Sequence, residues 1–121
     1  MSIELDKVAD DIYSKVKESL NDDWDTLSNF HKSQGRKLAR QAALLAQLKL
    51  SGEVPQGDPI FETLIEQFED AARNFAQAVA NLTVLTLQNA WNAIAKTLWG
   101  AVNELFSKAG LGNLPVPGLV V

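Results

Sequence analysis

At 121 residues the chain is long enough for one modest core and too short for two. Its 46% hydrophobic and 21% charged residues fall in the ordinary globular range, which argues against wholesale disorder. The absence of cysteine excludes disulfides, thiolate catalysis and thiolate metal sites, and a formal charge of −4 weighs against nucleic acid as the main partner.

The charge is unevenly spread. Residues 1–25 carry a net −5, residues 26–50 a net +5 with no acid at all, residues 51–73 a net −5, and residues 74–121 a net +1. One basic segment between two acidic ones is the pattern of helices that lie side by side. The N-terminus, MSIELDKVADD, is acidic and has no apolar core, so no signal peptide is expected. The cytoplasm or the inside of a protein assembly is the expected location.

The first segment, about residues 3–20, places Leu5, Val8, Ile12, Val16 and Leu20 at spacings of three and four, an amphipathic helix. Asn21-Asp22-Asp23 offers a helix stop and a new N-cap together. A second helix is expected over about residues 24–50, with a seam of Trp24, Leu27, His31, Gln34, Leu38, Ala42, Leu45 and Leu48. Gly35 interrupts it at a cost of ~1 kcal/mol relative to Ala, which marks either a weak turn or a close approach by another backbone. SGEVPQGDP is the clearest loop in the chain.

Asp58-Pro59, an N-cap followed by proline at the first helical position, opens the third segment, about residues 59–109. As one helix it would be ~75 Å long, so it is expected either to form a rod in an assembly or to break near residues 86–92. Phe61, Phe68, Phe75 and Leu82 repeat every seven residues in its first half. In the second half the stripe is Leu87, Trp91, Ile94, Leu98, Ala101, Val102 and Leu105, with Trp99 and Phe106 at its edge. On a continuous helix the two stripes face nearly opposite ways, so they need two different neighbours or a break. A polar column of Gln67, Asn74, Asn81 and Gln88 reads more simply as a solvated edge than as a set of register-fixing amides.

Gly110, Pro115 and Pro117 end helical structure, and residues 110–121 read as an extended arm. An apolar, uncharged tail is unlike a disordered terminus, so Leu114, Val116, Leu119, Val120 and Val121 are expected to dock on this chain or on a neighbour.

Little in the sequence points to chemistry. His31 has Leu27, Ser28, Gln34 and Gly35 as its helical neighbours and no carboxylate to orient its ring. Asp22, Asp23 and Asp25 lack the alternating ligands and glycine of a calcium loop. No phosphate-binding loop or nucleophile elbow is present. The expectation is a protein that is not an enzyme, with no cofactor and no catalytic or metal-binding residue. The basic patch Lys32, Arg36, Lys37 and Arg40 could contact nucleic acid, but a hairpin would set Arg40 opposite Glu66 to Asp70, and charge pairing is the simpler reading. Phe75 to Ala95 is uncharged over about the ~20 residues of a bilayer span. It carries seven Gln, Asn or Thr residues, which disfavours a membrane-associated or pore-forming role.

The expected fold is therefore all-α: one helical domain over residues 1–109, built as an antiparallel helical hairpin or three-helix arrangement with a long third helix, straight or kinked, plus the arm. The expected function is that of a non-enzymatic structural or assembly protein. It would form homo-oligomers, or bind other subunits, through Leu87, Trp91, Ile94, Leu98, Trp99, Val102, Leu105 and Phe106 and through the arm. The small, acidic, alanine- and amide-rich, motif-free composition resembles that of phage virion and assembly components, which implies a viral structural role.

Overall fold

The structure, a computed structural model, describes residues 4–52 and 58–118. It is all-α. Helix α1 (Leu5–Leu20), the short α2 (Asp22–Asp25), α3 (Asn29–Leu50), α4 (Pro59–Leu82) and α5 (Leu87–Lys108) pack against one another, and no strand occurs among the described residues. Four long helices replace the three expected.

The ends of the helices follow from local chemistry. Asn21, at φ +52°, stops α1, since asparagine tolerates positive φ better than most residues. Asp58 caps α4 by accepting from the Ile60 N–H at 2.8 Å, with Pro59 at the first position as expected. Two breaks differ from expectation. The second segment does not run unbroken from Trp24. It stops at Thr26, and α3 starts afresh where the Ser28 hydroxyl accepts from the His31 N–H. The reason is visible at Gly35, where an added Cβ would lie 3.1 Å from Trp24 Cη2 and 3.2 Å from Phe75 Cζ. On a straight helix Trp24 and Gly35 would sit ~16 Å apart. The chain must fold back for the indole to fill the glycine notch. The visitors at Gly35 are two aromatic rings, not another backbone.

The third segment breaks at residues 83–86, a little before the expected place. The Thr83 hydroxyl donates to the Val79 carbonyl and accepts from the Leu85 N–H, and the Thr86 hydroxyl accepts from the Asn89 N–H. Two threonines three residues apart thus offer the backbone an alternative to the helical ladder.

The long helices form a ring in the order α1, α3, α4, α5, with α5 closing back onto α1 and also touching α3 across the centre. Each neighbour runs antiparallel to the next. Asp6 and Asp10 of α1 meet Arg40 and Arg36 of α3, Lys49 of α3 lies over Phe61 of α4, Phe68 stacks on Trp99, and Lys15 meets Glu104. The core contains Ile12, Val16, Leu20, Phe68, Trp91 and Trp99, and no polar or charged side chain is buried there among the described residues. Ala39, Ala42, Ala43 and Ala46 give α3 a low face that lets its neighbours approach closely.

The stripe expected to await a partner lies inside this core. Trp91, Ile94, Leu98, Trp99, Val102 and Phe106 are buried within the single chain, and Leu87 and Leu105 are half-buried against the same cluster. The turn at 83–86 rotates the second half so that both stripes face one interior. A lone chain therefore does not leave these residues uncovered. The polar column is the solvated edge: Gln67, Asn74, Asn81 and Gln88 are all exposed.

Candidate functional site

With the second stripe internal, the surface carries the arm, the apolar side chains at one end of the bundle, and the basic face of α3, with Ile60 and Leu44 exposed singly elsewhere. The arm begins with a Schellman reversal. Gly110, at φ +75°, lets its N–H reach the Ser107 carbonyl and the Leu111 N–H reach the Phe106 carbonyl at 2.9 Å. Leu111 folds onto the core, and the chain then runs back along the bundle.

Four helix side chains hold it, the first being Ser107, whose hydroxyl donates to Asn113 Oδ1 at 3.3 Å. The Asn103 amide matches the backbone of Leu114 in both directions, with Nδ2 donating to its carbonyl at 2.9 Å and Oδ1 accepting from its N–H at 2.7 Å. Trp91 Nε1 donates to the Pro117 carbonyl at 3.1 Å. Arg73 Nη2 donates to the Gly118 carbonyl at 3.4 Å. Arg73 itself lies over the Trp91 ring, 5.5 Å from its centroid, and pairs with Glu69 and Asp70 of its own helix. Its Nε is buried without a hydrogen-bond partner. The arm is thus docked on its own chain as far as Gly118. Leu114 packs against the core, but Val116 is 52% exposed, so the apolar arm is not covered throughout. Leu119, Val120 and Val121 lie outside the described residues.

At the end of the bundle where α3 begins and α4 turns into α5, Phe30, Leu82 and Val84 are 67%, 45% and 93% exposed. Leu82 ends the seven-residue stripe of α4 yet is left exposed where that helix stops, whereas Phe30 and Val84 lie outside every stripe, which is why periodicity did not single those two out. The signal available was local: a valine in a four-residue connection and a phenylalanine just past an N-cap.

Arg36 and Arg40 of the basic run are engaged within the chain, but by α1 and not by the acids of α4. Arg40 Nη1 lies 2.7 Å from Asp6, and Arg36 lies 3.8 Å from Asp10 and stacks on Tyr13 with 4.3 Å to the ring centroid. The acids expected opposite them, Glu69 and Asp70, serve Arg73. Lys37 borders an open groove of about 420 Å3 between α3 and α4, beside His31, Gln34 and Asn74. The His31 Nδ1 sits 2.7 Å from the Ser28 hydroxyl, so the ring is tied to the helix cap. Among the described residues no cluster of His, Asp or Glu is placed to hold a metal ion, and no helix is long and apolar enough to cross a membrane. Compared with protein-family models, curated proteins and solved structures, the chain finds no match.

Proposed function

We propose that this chain is a non-enzymatic structural protein whose work is contact with other protein subunits, copies of itself first. The observation that carries the reading is that Phe30, Leu82 and Val84 are exposed at the same end of the bundle, where α3 begins and α4 turns into α5. Apolar side chains brought together on a surface are the mark of an interface, whereas singly scattered ones are not. Burying a large apolar side chain is worth about 1.5–3 kcal/mol, so three on each of two copies yield on the order of 10 kcal/mol gross. Association itself costs about 4–15 kcal/mol. A single such contact is weak, and it becomes useful where many copies repeat it, as in a larger particle such as a virion. Engagement of Arg36 and Arg40 by α1 makes the nucleic-acid reading the weaker one.

Light scattering over a concentration series tests this. The wild-type mass should climb with concentration, and Phe30→Asp combined with Val84→Asp should hold it at the monomer value with helicity unchanged. A wild-type chain that stays at the monomer mass throughout would overturn the reading.

A further inference from the structure

We infer that the α4/α5 face is a seat for the arm of a second copy, so that two chains exchange residues 113–118 and become a dimer. This names the partner and the site within the assembly reading and rests on it. Every hydrogen bond that fastens the docked arm beyond Asn113 goes to arm backbone: the Leu114 N–H and carbonyl, and the carbonyls of Pro117 and Gly118. The groups that receive the arm, Asn103, Trp91 and Arg73, all stand on long helices and are in place whether the arm comes from this chain or another.

The connection suits exchange. The Schellman bond fixes the chain as far as Leu111, and it is held again from Asn113, first by the Ser107 hydroxyl and then by Asn103 at Leu114, so the pivot is Gly112. A Cβ built at Gly112 meets nothing within 4 Å, so the pivot sits in open space. Straightening there carries the arm off its own seat without disturbing α5. In the exchanged pair every docking contact is remade with the same atoms, which is why swapping an identical element is a low-cost route to a dimer. The balance then depends on the pivot and on concentration. Carbonyls three residues apart, at Leu114 and Pro117, match the polyproline repeat, which lets an extended segment present the same side to the seat at each turn.

The test uses two full-length variants, each also carrying Phe30→Asp and Val84→Asp to silence the end-on contact. Asn103→Leu breaks the seat and leaves the arm intact. Leu114→Pro removes the N–H that Asn103 receives and leaves the seat intact. Each alone should run at the monomer mass. Mixed, they should give a heterodimer of doubled mass by native mass spectrometry, because one sound arm meets one sound seat only in trans. Folded variants that stay monomeric in the mixture overturn arm exchange, while the end-on reading is judged separately by its own substitutions. Should either variant lose helicity, Asn103→Cys with Leu114→Cys in the otherwise cysteine-free chain decides the matter. Oxidation should then give covalent dimers, and cross-linked monomer alone would overturn the inference.

Discussion

Helices α1 and α3 meet through charge at their rim and alanine at their centre, whereas α4 and α5 meet through rings and carry the arm across their outer face. In the first pair the specific contacts are solvent-facing: Asp6 with Arg40, Asp10 with Arg36, and Arg36 over Tyr13. In the second pair Phe68, Trp91 and Trp99 interlock out of water, with centroids 4.7 Å apart for Phe68–Trp99 and 6.2 Å for Trp91–Trp99. Exposed ion pairs select a neighbour and register but contribute little energy, while buried rings contribute much energy and dictate shape. The chain thus uses one half to choose an arrangement and the other to hold it.

The sharpest way to break that contrast is Leu98→Asp. From sequence this substitution reads as a way to split an oligomer. With Leu98 wholly buried in α5, it instead places a carboxylate in a core that holds no charge, and the chain should lose its helical circular dichroism altogether. A folded monomer would contradict the packing described.

Next in size is Gly35→Leu, at the junction between the halves. A side chain there collides with Trp24 and Phe75 and should cost about 1–3 kcal/mol in urea unfolding, the usual penalty of overpacking. Gly35→Ala sharpens the point, because its helix-propensity gain of ~1 kcal/mol opposes ring displacement of a few tenths of an ångström. Its net effect should be far smaller than that of the leucine.

Arg40→Ala should matter less again. Both partners of the Asp6 pair are more than half exposed, so about 0.2–1 kcal/mol is expected, shrinking further at high salt. A loss as large as that of Gly35→Leu would mean the charged rim does more than select.

The smallest effect belongs to Glu104, where α5 meets α1. The ammonium of Lys15, and then that of Lys108, hold its carboxyl below the ordinary value of 4.5. Because the folded value is the lower one, the contribution is fully present above the unfolded value near 4.5. It is lost as pH falls through the folded value. Lys15→Ala should move the Glu104 titration seen by NMR back toward 4.5, and an unmoved titration would deny the contact.

Much of this architecture was legible in the residues, and what was not has physical causes. The α1 stripe and the Asp58-Pro59 start of α4 are local signals, and both stand in the structure. The Ser28 restart was hidden because Trp24 and Leu27 continue the apolar seam in sequence, although Trp24 reaches its place only by folding back onto Gly35. The two opposed stripes of the third segment correctly demanded either two neighbours or a break, but a hydrophobic pattern cannot say which. The Thr83 and Thr86 hydroxyls decide it. Asn103 was invisible, since one amide on a helix is ordinary until an extended segment lies beside it.

The position of α5 also bears on how the protein is made. It is the last helix among the described residues, yet it touches α1, α3 and α4 and holds two of the three buried tryptophans. Synthesis at about 5–20 residues per second leaves the earlier helices waiting for seconds with their inner faces open. The bundle cannot close until α5 has emerged from the ribosome, so the inner faces of the earlier helices stay open over that interval.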